Sequence, residues 1–214
     1  MPNRTLQRVS IAGTPLDSYF HVCAFFDSRE QEYAVLESFY KEGLANGEKA
    51  LHIVDPRLRD DHRTRLGKMG VNVHACEECG QLEVVTPAQT YLSGGSFEPY
   101  KMLVTIDTII GAAEEHGFPR TRIMGNMGWA LESETSSNQL IEYEARVNEV
   151  LARTRQPAIC VYDIKRLTGS MLLDVLRTHP LTLVNGAVHS NPFFTRPEVF
   201  MAELQKRKRL NAAA

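Results

Sequence analysis

The stretch from His21 to Pro56, HVCAFFDSREQEYAVLESFYKEGLANGEKALHIVDP, reads as one strand-helix-strand unit with its punctuation intact. The apolar run HVCAFF stops at Asp27-Ser28, and Ser28 followed by Gln31 is the capping-box pattern of a helix start. Tyr33, Leu36, Phe39, Tyr40 and Leu44 recur at helical spacing, and Asn46-Gly47 supplies a left-handed stop. ALHIV, closed by Asp55-Pro56, follows as a second buried strand. Doubly wound sheets bind ligands beyond the carboxyl ends of such strands, which makes Phe25, Phe26, Asp27, Ser28 and Asp55 candidate site residues.

The loop after the first strand lacks what a phosphate cradle requires. Such a loop uses glycines so that backbone N–H groups can approach the anion, with a lysine and a Ser or Thr beside them. DSREQEY has no glycine and no lysine, and Asp27, Glu30 and Glu32 add negative charge. Nucleotide hydrolysis at this position is disfavoured.

The remaining chain continues the alternation. RLRDDHRTRLGKMG sets Leu58, His62, Leu66 and Met69 on one side of a charged helix. Residues 71–73 are expected as a third short strand, HACEECGQ as a tight turn and QLEVVT as a strand, and the glycine pair in TPAQTYLSGGSFEP marks a functional loop carrying Tyr91. A helix from about Glu98 or Pro99 to His116 shows a broad apolar stripe of Met102, Leu103, Ile106, Ile109, Ile110 and Ala113. RIMGNMGWAL is a strand with an exit loop holding Asn126, Gly128 and the single tryptophan, Trp129. Ser136 or Ser137 is expected to cap the helix NQLIEYEARVNEVLART, AICVYDI is a buried strand ending in Tyr162 and Asp163, and LTGSMLLDVLRTHP is a short helix. LTLVNGAVHS is a hairpin turning on Asn185-Gly186, and a closing helix starts near Pro197. The fold class is α/β, with a mainly parallel central sheet flanked by helices on both faces and a C-terminal β-hairpin and helix.

At 214 residues and 24.1 kDa the chain holds one substantial domain, taken as residues 19–210 after a flexible arm at 1–18, in which Val9 to Ala12 are read as loose chain or as an edge strand. A net charge of −2 favours neither nucleic acid nor an anionic membrane, and the short basic run KRKRL reads as a solvated helix end. No apolar run approaches the ~20 residues of a membrane span. The N-terminal MPNRTLQRVS lacks a signal-peptide core, so the protein is expected to be cytoplasmic, with Cys23, Cys76, Cys79 and Cys160 as free thiols.

Two metal arrangements deserve weighing. His74, Cys76 and Cys79 offer three soft ligands where structural zinc wants four, so an ordinary turn with two thiols is the simpler reading. His21, Cys23, His52, His179 and His189 form a second set, with His21 and Cys23 on one strand face, but core histidines explain them as well. The acids Asp55 and Asp163 at strand exits, with Glu142 and Glu144 on the preceding helix, suit the polar floor of a pocket; capping explains Asp163 equally well. Phe25, Phe26, Tyr91, Trp129 and Tyr162 are candidate pocket walls, because strand exits and loops are where a scaffold presents ligand contacts, with buried core the alternative for Phe25 and packing an equal alternative for Trp129 and Tyr91.

HVCAFFDSREQEY, FYKEGLANGEKALHIVDP, GQLEV, TYLSGGSF, GFPRTRIMGNMGWAL, IEYEARVN, ICVYDI, THP and NPFF closely resemble the MEDS (methanogen/methylotroph, DcmR sensory) domain, in order and over nearly the whole chain. The resemblance implies a degenerate relative of KaiC and RecA-like P-loop ATPases that senses small hydrocarbon derivatives without catalysis. Members often carry Glu where this chain has Gly128 in the MGWAL block. The expectation is therefore a stand-alone sensory domain that needs no cofactor and does not contact nucleic acid or membrane. It would bind a small organic ligand, order the 86–97 loop and signal to a separate regulatory protein, with a homo-oligomer compatible. Phe25, Phe26, Tyr91, Trp129 and Tyr162 would form walls, and Asp27, Asp55, Asn126, Glu144 and Asp163 polar contacts. The rival readings are a residual nucleotide binder or weak NTPase, a metal or redox sensor on His74, Cys76 and Cys79, and a pure protein-interaction module.

Overall fold

The computed structural model describes residues 8–16, 20–90, 97–131 and 134–212. In chain order these build β1 (Val9–Ile11), β2 (Thr14–Leu16), β3 (Phe20–Phe26), α1 (Arg29–Ala45), β4 (Lys49–Ile53), α2 (Arg59–Lys68), α3 (Val73–Glu78) and β5 (Leu82–Val85). There follow α4 (Pro99–Glu115), β6 (Thr121–Asn126), α5 (Glu134–Thr154), β7 (Pro157–Asp163), α6 (Gly169–Thr178), β8 (Leu181–Val184), β9 (Ala187–Ser190) and α7 (Pro197–Ala212).

Every residue of β3 is buried, and β7 is buried up to Asp163, because both strands lie mid-sheet with a helical layer on each face. The seven-stranded sheet runs β5-β4-β6-β7-β3-β8-β9, parallel throughout except for the β8–β9 hairpin. Strand alternation sorts the core. Phe20, Val22, Ala24 and Phe26 face Tyr33, Leu36, Phe39 and Tyr40 of α1, while Cys23 and Phe25 face the layer made by α4 to α7. β3 and β4 are consecutive in sequence yet separated by β6 and β7, which leaves a crevice at their carboxyl ends.

The local signals acted largely as their chemistry requires. Ser28 accepts from Gln31 N at 3.2 Å as the N-cap of α1, and the Gln31 side chain reaches back one residue further, to Asp27 N at 3.1 Å, rather than to Ser28 N as a strict capping box would. Asn185 and Gly186 take φ of 50° and 76°, the two left-handed positions of a type I′ hairpin.

Two expectations are corrected. Residues 71–73 form no strand: the Asn72 side chain accepts from Ala75 N at 3.2 Å and starts α3 at Val73, so HACEECGQ is mostly helical rather than a tight turn. Neither Ser136 nor Ser137 caps α5, which begins at Glu134; the Ser137 hydroxyl instead donates to Ala130 O at 3.0 Å. Around Val9 to Ala12, read as loose chain or an edge strand, β1 pairs with β2 as a separate antiparallel hairpin, whose Val9 and Ile11 are fully buried in the α1-side core.

The lower end of the sheet is tied by a buried charge network. Glu48 accepts from Arg120 Nη1 at 2.9 Å and from Arg122 Nε at 2.5 Å, and Arg122 Nη1 donates to Phe39 O at 3.0 Å. Gly43 makes room for it, since a Cβ there would lie 2.6 Å from Arg122 Cδ. Glu48→Ala would strand two buried guanidinium groups, and urea unfolding is expected to show a loss of about 3–5 kcal/mol.

Candidate functional site

The carboxyl ends of β3, β4, β6 and β7 open into a cavity of about 520 Å³. Of the expected site residues, Phe26, Asp27, Asp55, Asn126, Tyr162 and Asp163 line it. The sequence reading missed its basic residues, Arg29, Arg57 and Arg166, together with Glu32; the helix-start positions of Arg29 and Glu32 were the available signal.

Local capping fixes the strand-exit acids. Asp55 accepts from Arg57 N at 2.8 Å, Nε at 2.9 Å and Nη2 at 2.6 Å, and this contact, aided by Arg166, holds its carboxyl below the usual range. Asp163 accepts from Lys165 N at 3.0 Å, and Lys165 Nζ reaches across to Asp27 O at 2.7 Å. Both acids thus cap the turns that follow their strands. Burial pushes Glu32 up to about 7, against the pull of Arg29 and Arg65, so this carboxyl changes charge near neutrality. The Arg166 guanidinium makes no ion pair among the described residues. A Cβ on Gly128 would lie 2.8 Å from its Nη1 and 3.1 Å from Asn126 Oδ1, so any side chain at 128 would displace it.

Of the aromatic residues considered as walls, Phe26 and Tyr162 border the cavity, whereas Phe25 and Trp129 pack in the core. Phe25 packs against Tyr162 with ring centroids 5.8 Å apart, inside the core on the α5 side. Tyr162 borders the cavity, but it is fully buried and its hydroxyl donates to Glu144 Oε1 at 2.7 Å. Trp129 lies in a 3-10 turn, 8% exposed, edge-on to Phe97 at 5.0 Å. Strand alternation and helix packing turn these rings inward, which loop composition could not reveal. Glu144 is likewise absent from the cavity lining, and Glu142 pairs with Lys208 at 3.0 Å on the outer side of α5. Tyr91 lies outside the described residues, as does half of the 86–97 loop expected to order on ligand binding.

The CxxC expectation fares similarly. The His74 side chain is 90% exposed, Cys79 is exposed, and Cys76 packs partly against the α1-side core, so helix α3 turns the three donors apart. Of the second set, His52 is on the opposite sheet face from His21. It contacts His62, whose Nε2 lies 2.9 Å from His52 Nδ1 and whose Nδ1 meets the Tyr33 hydroxyl. Arg29 Nη2 donates to that hydroxyl at 2.8 Å, so the chain of groups starts at the cavity rim.

His21 and His179 do converge, and with groups no spacing rule had linked to them. Their rings lie 4.0 Å apart, beside Cys160 and the fully buried Glu144, and the four donor atoms all fall within 4.8 Å of one another. Burial raises the Glu144 carboxyl, but His179 and His21 outweigh it and hold the group well below its ordinary value.

The sequence profile of the MEDS family, MEthanogen/methylotroph, DcmR Sensory domain, matches residues 20–180. The chain belongs to the MEDS family. This MEDS protein is 27% identical over 175 residues to the transcriptional repressor DcmR of Methylorubrum extorquens, an alignment covering 80% of this chain and 62% of the relative. Its fold matches a KaiC-like protein from Pyrococcus horikoshii with a TM-score of 0.56 at 16% identity, over 84% of this chain and 79% of that one. No described helix is long and apolar enough to cross a membrane.

Two outcomes are expected. Because Trp129 serves the MEDS core, Trp129→Ala should cost about 3–5 kcal/mol in denaturant unfolding. His52 is held down to about 3 by burial, against 6.5 in the unfolded chain. Between those values the unfolded chain binds a proton that folded His52 refuses, so stability is lost as pH falls from 6.5 toward 3. Glu32 acts oppositely between about 7 and 4.5. Unfolding free energies at pH 7 and pH 5 should therefore show a smaller acid loss in His52→Gln than in the wild type, with Glu32 common to both.

Proposed function

We propose that this MEDS domain is a non-catalytic sensor that binds a small organic molecule, a hydrocarbon derivative with an anionic or strongly polar head, in the strand-end cavity. The observation that carries this reading is the cavity at the ends of β3, β4, β6 and β7, whose Arg166 makes no ion pair among the described residues and has as its charged neighbour Asp55, a carboxylate already engaged by Arg57. Arg29 is engaged by Tyr33 and Asp61, and Arg57 by Asp55, whereas Gly128 leaves Arg166 facing the cavity. A glutamate at 128, the residue the resemblance assigns to many relatives, would compete for that guanidinium. Phe26, Leu58 and Val161 supply apolar lining for the rest of the molecule. The family's sensory description and the likeness to a transcriptional repressor support a regulatory role. The signal passes to a partner protein when ligand favours one of two states of the cavity rim.

A triphosphate suits the cavity poorly. The β3–α1 loop has no glycine, and Glu30 and Glu32 sit in the first turn of α1.

Native and denaturing mass spectra of freshly purified protein provide the first test: an extra mass retained only under native conditions is expected, of a value fitting a small organic acid. A thermal-shift panel of short carboxylic acids should stabilise the wild type and lose most of that effect in Arg166→Ala, with partial recovery in Arg166→Lys. An undiminished shift in Arg166→Ala would remove the anchor from this reading. Stabilisation by magnesium-ATP instead of the acids would replace it with the nucleotide one.

A further inference from the structure

We propose that His21, Glu144, Cys160 and His179 form a four-coordinate structural zinc site in the core on the α5 side of the sheet. The first argument concerns lone pairs. Asn148 Nδ2 donates to the carbonyls of Glu144 at 2.9 Å, Ala145 at 3.2 Å and Thr178 at 2.8 Å, which turns Asn148 Oδ1 toward His21 Nδ1 at 3.2 Å. An amide oxygen only accepts, so the proton of neutral His21 resides on Nδ1. His179 Nδ1 lies 2.8 Å from Val175 O, which fixes its proton in the same way. Both Nε2 lone pairs then point inward at Glu144 Oε2, at 3.1 Å from His21 and 3.4 Å from His179. His179 Nε2 is buried with no hydrogen-bond partner. Three acceptors thus converge on one thiol, Cys160, whose Sγ is 3.3 Å from His21 Nε2 and 3.5 Å from Glu144 Oε2. One thiol proton cannot serve all three; without a metal, a further proton on one imidazole must be held in the buried cluster, and a cation at the centre satisfies all three acceptors at once.

Geometry and charge select the cation. Zinc bonds of about 2.0–2.3 Å to nitrogen, oxygen and sulfur give tetrahedral edges of about 3.3–3.6 Å; four of the six edges, at 3.1–3.5 Å, are close to this, and the two from His179 Nε2 to His21 Nε2 and Cys160 Sγ lie within 4.8 Å. A mixed set of two imidazoles, one carboxylate and one thiolate suits zinc rather than magnesium or calcium. Binding releases the Cys160 proton to solvent. The dication with one thiolate and one carboxylate leaves the buried centre neutral, which avoids the cost of an uncompensated charge. Asn148 and the Val175 carbonyl orient the two imidazoles, and the Tyr162 hydroxyl holds the second Glu144 oxygen at 2.7 Å. A surface depression of about 390 Å³, lined by Phe20, His21, Asn148, Leu151, Pro180 and Leu181 among others, gives the metal an access route. With all four positions filled by protein, the ion ties β3, α5, β7 and the end of α6 together and has no open position for chemistry.

The test is titration of chelator-treated full-length protein with Co²⁺ alone, followed by displacement with Zn²⁺. The expected result is one Co²⁺ per chain, with tetrahedral ligand-field bands and a thiolate charge-transfer band that zinc abolishes. Cys160→Ser should lose the charge-transfer band, while a Cys76→Ser, Cys79→Ser double variant keeps it. Asn148→Ala should weaken binding by about 10–100-fold as a positioning residue. The absence of stoichiometric binding to the wild type, a six-coordinate spectrum without charge transfer, or a band that disappears with Cys76 and Cys79 would each overturn the site. Should Cys160→Ser lose the circular dichroism of the fold, the wild-type spectrum and the double variant still decide the matter.

Discussion

The pairing of β3 with β7 is the constraint on which the other features depend. The two strands run parallel and in register from Phe20 opposite Pro157 to Phe26 opposite Asp163, with helices above and below. Burial on both faces allows no polar side, and each step along the strand exchanges one core for the other. That alternation puts Phe26 with α1 and the cavity, and His21, Cys23 and Phe25 with α5. The strand-end crevice and the buried histidine-carboxylate cluster are therefore opposite products of one ladder.

The polar interior follows from the same geometry. A sheet covered on both faces can retain a charged side chain only where partners complete it. Glu48 is completed by Arg120 and Arg122 at one end of the sheet, and Glu144 by Tyr162 and two histidines nearer its middle. Tyr162 joins the two regions of interest. Its residue borders the cavity while its hydroxyl holds Glu144, so the two regions share one buried side chain.

Much of the architecture was legible because it is encoded locally. Ser28 with Gln31, Asn46-Gly47 and Asn185-Gly186 each act through atoms a few residues apart, and the apolar runs of β3, β4 and β7 declare strands that no solvent reaches. The expected strand at 71–73 failed for the same reason: a nearby side-chain cap, Asn72, outweighed three residues of β propensity.

The sequence by itself determined the strand and helix order of the central sheet and its flanking layers apart from α3, the glycine-free first loop and the family to which the chain belongs. Only the tertiary structure decided that Trp129 and Phe25 pack inward, that Arg166 faces the cavity, and that His21, Cys160 and His179 gather around Glu144. Side-chain facing is fixed by register between strands, and convergence by how helices dock on them. His21 and Cys160 are 139 residues apart, and no spacing along the chain encodes their separation of 3.3 Å.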